Sequence, residues 1–241
     1  MNADIIASAQ HLVDIARAQK LEIRLLGGVA VALHCPERNN PGRSYRDIDA
    51  FIPAKTQSRV SAVLIAAGYV ADKEFNLLNG DTRLLFHDPR TQRQIDVFVG
   101  NFSMCHTIPL STQADPYTVH VAELLLTKLQ IFELNPKDAY DGCTLLSTLL
   151  IGTASTHAAT RTRIAALCGA DWGLWRTFTM NLDRCVVYAQ EHHADDAVTV
   201  AREVQALTQF LANAPKTLGF KTRALIGDKV RWYELPEEVE R

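Results

Sequence analysis

At 241 residues, 47% hydrophobic and 22% charged, the chain is long enough to bury a sizeable core, as one large or two modest domains. Its formal net charge of -2, from 25 Lys and Arg against 27 Asp and Glu, excludes the global basic field of a protein that tracks along nucleic acid. Five cysteines without a CxxC pair suggest neither a zinc site nor a disulfide framework, and they suit a reducing cytoplasm.

Met1 to Lys20 sets Ile5, Ile6, Leu12, Val13 and Ile15 among Asp4, His11, Asp14 and Arg17. That is a helix with a wet face rather than a charged leader followed by an apolar run. The longest mostly apolar stretch, Val60 to Ala71, is about half of a membrane span, so no transmembrane segment is expected. Leu21 to Leu26 reads as a buried strand, Gly28 to His34 as a short helix, and Pro36 to Tyr45 as a loop. Arg46 to Ile52 reads as a strand ended by Pro53, and Thr56 to Ala67 as a helix closed by Gly68. Tyr69 to Phe75 and Arg83 to His87 read as strands joined by a hairpin at Asn79-Gly80-Asp81. Arg90 to Arg93 is a further turn and Gln94 to Val99 a further strand.

After Gly100 the composition changes. Phe102 to Pro116 is irregular or holds one more strand. From Val119 the signals are helical, over Val121 to Leu134, Ala139 to Ile151, Thr160 to Leu167, Trp172 to Glu191 and Ala197 to Ala212. Asp115-Pro116 is the expected boundary, because proline disfavours helix in the residue before it and opens the one after. The expected class is therefore α+β: a mixed sheet with helices over residues 1–115, then a helical domain over 116–241.

The chemistry converges on three acids. Strand side chains alternate faces, so Asp47 and Asp49 point the same way, while Ile48 turns to the core. Two like charges on one strand face repel unless a cation lies between them, which points to a divalent metal. Asp96, among apolar neighbours in a second strand, joins them if the strands are adjacent. Three hard oxygen donors suit Mg2+ or Mn2+ and an in-line phosphoryl displacement. Gly27 and Gly28 supply the other half: without a Cβ, they let backbone approach a phosphate at a helix start, where free amides attract anions.

Each signal also has a plainer reading. The double glycine alone is more often a packing turn, and Asp47 and Asp49 alone a solvated strand end. Lys128 on its apolar helix can snorkel to solvent, Lys137 and Asp141 can form a helix pair, and Asp138 can cap the helix begun by Asn135-Pro136. Arg43 and Arg46 either meet a triphosphate or pair with nearby acids.

The sequence Gly27-Gly28, then Asp47-Ile48-Asp49, then Ile95-Asp96-Val97-Phe98-Val99 resembles the nucleotidyltransferase superfamily of DNA polymerase beta and the aminoglycoside nucleotidyltransferases. Ala122-Glu123-Leu124-Leu125-Leu126-Thr127-Lys128, followed by Asn135-Pro136-Lys137-Asp138-Ala139-Tyr140-Asp141, is similar to AbiEii-type nucleotidyltransferases, some of them toxins of toxin-antitoxin pairs. Cys168 to Arg176 is similar to further bacterial nucleotidyltransferases.

The resemblance implies a nucleotidyltransferase-type sheet and a helical domain completing the nucleotide pocket. Asp47 and Asp49 would hold the metals, and Asp96 would position or deprotonate the attacking hydroxyl. Gly27, Gly28, Arg46, Lys128 and Asp138, or Asp141, would contact the nucleotide. It implies an NTP substrate, an RNA, tRNA or small-molecule acceptor, and an antitoxin partner in the toxin case. One departure stands out: the family often carries Ser as the second residue of the pair, or a hydroxyl residue just after it, where this chain has Gly28 and Val29. A nucleotide-binding regulator of the same fold, without transfer, is the alternative that this departure leaves open.

Overall fold

The computed structural model describes residues 2–36, 43–113, 115–148, 154–192 and 194–235. The chain divides into two compact units, Met1–Phe102 with Pro109–His120, and Ser103–Ile108 with Val121–Arg241.

The first unit is built on a five-stranded mixed sheet of order β1-β2-β5-β4-β3. Its elements are α1 (Asn2–Ala18), β1 (Arg24–Leu25), α2 (Gly27–His34), β2 (Ile48–Ile52), α3 (Gln57–Ala66), β3 (Val70–Ala71), α4 (Lys73–Asn79), β4 (Arg83–Asp88) and β5 (Arg93–Val99). A turn of 3₁₀ helix, Ala54–Thr56, leads into α3. β2 and β5 run parallel, and β4 joins β5 antiparallel. One face of the sheet carries Ile48, Ala50, Ile52, Ile95, Val97, Leu84 and Phe86, all buried. The opposite face is covered in part as well, with Phe51, Leu85 and Phe98 also buried, so β2, β4 and β5 run through the interior of the unit. Gly68 ends the α3 region at φ +94, a left-handed conformation that a side chain resists, as expected at a helix C-terminus.

Two expectations fail here. The stretch Tyr69 to Phe75 is a two-residue strand followed by helix α4, not one long strand. Asp72 is the reason: its carboxylate accepts the Phe75 amide at 3.0 Å, capping a helix just where the strand signal continues. The hairpin therefore does not turn at residues 79–81. It turns between β4 and β5, with Asp88 opposite Arg93 and Gln92 at φ 58. The predicted strand at residues 21–26 forms a ladder only at Arg24 and Leu25, opposite Phe51 and Ala50. Leu25 also exchanges backbone bonds with Tyr117 and Val119, bringing that later segment into the same unit.

A short ribbon, β6 (Asn101–Ser103) with β7 (Thr107–Pro109), follows the sheet. The second unit is helical: α5 (Val121–Leu129), α6 (Pro136–Thr148), α7 (Ala154–Ala170), α8 (Trp172–His192), α9 (Ala194–Asn213) and α10 (Leu218–Ile226). The predicted helix over 121–134 stops at Leu129, and Asn181 explains how. Its buried amide donates to the carbonyls of Leu129 at 2.8 Å and Ile131 at 2.7 Å, satisfying groups that the helix end leaves open. Residues 149–151, the end of the predicted helix from Ala139, lie outside the described residues. α10 is capped by Thr217, whose hydroxyl accepts the Phe220 amide at 3.1 Å. All five cysteines are buried and free, in keeping with the absence of a disulfide pattern. No described helix is long and apolar enough to cross a membrane.

Candidate functional site

β2 and β5 are adjacent and parallel with Asp49 directly opposite Asp96, so the two carboxylates leave the sheet on the same face from neighbouring strands. Asp47 stands one residue ahead of β2 and is half-buried, outside the ladder that fixes the other two.

Gly27 opens α2 at φ +65, with its backbone against Asp49. A Cβ at Gly27 would lie 1.9 Å from Asp49 Oδ2, so the carboxylate occupies space that only glycine leaves. The amide of Leu26 donates to the Asp49 carbonyl at 2.9 Å, locking the turn to β2. The first amides of a helix have no intrahelical acceptor, so the start of α2 sets partial positive charge beside this acid. At Gly28 a Cβ would meet the Tyr45 ring at 2.9 Å and Arg43 Nη2 at 3.0 Å, and the Arg43 guanidinium lies 5.0 Å from the Tyr45 ring centre. A side chain at position 28 would thus run into an aromatic ring and a guanidinium. Arg46 is exposed in the segment that precedes β2.

Asp96 departs from expectation. It is 2% exposed, and its Oδ1 accepts Arg83 Nε at 2.9 Å and Nη2 at 2.8 Å, while Oδ2 accepts Gln94 Nε2 at 2.8 Å. Expected as a third metal ligand, it is a carboxylate neutralised by arginine. The pairing removes the cost of a buried lone charge, several kcal/mol. Among the described residues no three metal-ligating side chains gather at one point. The carboxylates of Asp47 and Asp49 are hard oxygen donors of the kind a divalent cation takes. The recess that Gly27 leaves is filled by the Asp49 carboxylate itself, and Asp96 is engaged by Arg83 and Gln94.

Arg83 is the residue that sequence reading missed. It lies on β4 opposite Phe98, one pleat from Leu85, which faces Asp96. The signal was the register. The turn between Asp88 and Arg93, where one was expected over Arg90 to Arg93, sets residue 83 diagonal to 96 on the same face.

No protein-family model matches the chain, and no curated protein does. It is similar to three solved structures. The antibiotic-resistance factor ANT(2'')-Ia in solution shares 14% identity with a TM-score of 0.46, over 69% of this chain and 96% of that one. ANT(2'')-Ia in complex with adenylyl-2''-tobramycin shares 12% identity with a TM-score of 0.40, over 66% and 98%. An antigenic nucleotidyltransferase-like protein from Paracoccidioides brasiliensis shares 10% identity with a TM-score of 0.43, over 89% and 95%.

In the second unit, the residues expected to meet the nucleotide are engaged with one another. Lys128 Nζ lies 3.0 Å from Asp138 Oδ1 and 2.9 Å from Asp141 Oδ2, and Asp141 is fully buried. Asn135 caps the start of α6: its side-chain oxygen accepts the Asp138 amide at 2.9 Å, and its Nδ2 donates to the Asp138 carboxylate at 2.7 Å. The cap is therefore Asn135 and not Asp138, whose carboxylate takes the Asn135 and Lys128 side chains, and Lys128 ties α5 to α6 rather than reaching solvent.

Proposed function

We propose that the chain is a metal-dependent nucleotidyltransferase, moving a nucleoside monophosphate from an NTP to an acceptor hydroxyl and releasing pyrophosphate. The observation that carries this reading is the register of Asp49 with Asp96 beside the glycine turn that opens α2. A Mg2+ or Mn2+ bound by Asp47 and Asp49 would neutralise the triphosphate. Gly27 keeps the recess for Asp49 open, and the α2 amides receive phosphate oxygens. Asp96, held by Arg83 and Gln94, presents a fixed carboxylate toward which the acceptor hydroxyl orients and to which its proton passes. The acceptor oxygen bonds to the α-phosphorus as the bridging P–O bond to the β-phosphate breaks, and pyrophosphate leaves.

The test is incubation with each labelled NTP and Mg2+ or Mn2+, against total RNA and against a small-molecule lysate fraction. Label in RNA, with growth arrest on expression without an antitoxin, marks a toxin-type enzyme; label in a small molecule marks a modifying enzyme. Asp49→Asn is expected to lower metal-dependent transfer at least about 100-fold, in the range of a lost electrostatic catalytic group, while the circular dichroism spectrum is unchanged. Activity that survives this substitution sinks the assignment.

The engagement of both Asp96 oxygens favours a second reading, a nucleotide-binding regulator without transfer. Calorimetric NTP binding with no pyrophosphate release across all acceptors supports it against the first.

A further inference from the structure

Gly27, Asp49, Asp96 and Arg83 form a row across the face of the sheet, from the start of α2 through β2 and β5 to β4. A guanidinium is charged at every working pH and presents five N–H groups in a rigid fork. Arg83 commits two of them to one oxygen of Asp96, and the others have no acceptor among the described residues. Its side chain is 25% exposed, so the group is buried enough to be fixed and open enough to meet a ligand. The rings of Phe98 and Phe75 lie 5.2 and 5.9 Å from its central carbon, close enough to hold the plane by cation–π attraction.

Resting on the transferase reading above, we infer that Arg83 takes the place of a second metal ion, so that the site binds one divalent cation per nucleotide. Asp96 cannot serve a cation through Oδ1 without giving up both of its bonds to Arg83. A cation placed between Asp96 and Asp49 would also stand beside a fixed positive charge. Arg83 is a positioning residue toward Asp96, and its uncommitted N–H groups suit an anionic oxygen of the bound triphosphate. Metal is then required only beside Asp47 and Asp49, where it would stand between these carboxylates and the triphosphate.

Mn2+ bound per chain, read by electron paramagnetic resonance in the presence of each α,β-methylene nucleoside triphosphate in turn, tests this without turnover. The expected count for the unmodified protein is one. Asp96→Asn is expected to leave the Mn2+ affinity within about threefold, because that side chain is not a ligand. Arg83→Gln is expected to admit a second Mn2+, and Arg83→Lys to restore a count of one. Two Mn2+ in the unmodified protein, a tenfold or greater loss of affinity in Asp96→Asn, or a count of one in Arg83→Gln overturns the inference and leaves the transferase reading standing. No Mn2+ bound with any of the four nucleotides overturns the transferase reading, and this inference with it.

Discussion

Gly28 shows how one missing side chain can be a consequence of its neighbours. A serine there would bring its Cβ within 2.9 Å of the Tyr45 ring and 3.0 Å of Arg43 Nη2, both tighter than ordinary van der Waals contact. Gly28→Ser is therefore expected to cost about 1–3 kcal/mol, the usual range for overpacking, measured as a lower urea midpoint. Adding Tyr45→Ala removes the obstacle. The double variant should recover part of that loss, a coupling that a double-mutant cycle reads directly. Simple additivity would mean that the ring does not set the residue at position 28. At this scale the sequence was informative where chemistry follows from spacing. Asp49 and Asp96 were legible because alternation and apolar flanks mark a carboxylate held on one strand face. Arg83 was not, because nothing in its own flanks marks a partner: the pairing follows from strand register, although the turn that sets it was expected over Arg90 to Arg93.

Among the elements, the pairing of α5 with α6 rests on a charged contact inside an apolar unit. Lys128 bridges Asp138 and the fully buried Asp141. Lys128→Met leaves the Asp141 carboxylate in a dry site without its ammonium. A loss of about 3–5 kcal/mol is expected in urea unfolding, the cost of breaking one partner from a buried pair. Lys128→Met combined with Asp141→Asn should lose less than Lys128→Met alone, since the buried carboxylate charge that faced the ammonium is then gone. A Lys128→Met protein as stable as the parent would remove this contact from the account. Most helices were readable from apolar periodicity, with ends that moved, but α4 stands where a strand and a turn were expected and α10 where no element was. Asp72 turns a strand signal into α4, and Asn181 closes α5 at Leu129. The first cap is visible in the sequence as Asp72 three residues before Phe75. The second is not, since Asn181 lies 52 residues from the carbonyl it satisfies.

At the scale of the whole chain, each unit holds a histidine whose charged form is disfavoured by desolvation, half-buried His34 in the first and buried His106 in the second, and this bears on how stability responds to acid. In the first unit, His34 Nε2 lies 2.7 Å from the Thr118 hydroxyl, and burial holds its pKa below the ordinary value despite the nearby Asp115. In the second, His106 Nε2 lies 2.8 Å from Thr177 Oγ1, which also accepts the Trp232 indole N–H at 3.0 Å. Burial lowers the His106 pKa as well, against the pull of Asp171 and Glu234. With folded pKa values below the unfolded value of about 6.5, the unfolded chain binds more protons once the pH drops under that value. The contribution is whole above about pH 6.5 and is lost as the pH falls through it. Each histidine adds a slope of at most about 1.4 kcal/mol per pH unit, until its folded form also takes a proton. All three tryptophans, Trp172, Trp175 and Trp232, belong to the second unit, so fluorescence follows that unit while far-ultraviolet circular dichroism follows both. His106→Gln should flatten the fall of the fluorescence-detected urea midpoint between pH 7 and 5, and His34→Gln should flatten only the dichroism-detected one. Identical pH profiles for the parent and both variants would show that carboxylates, and not these two imidazoles, govern the acid response.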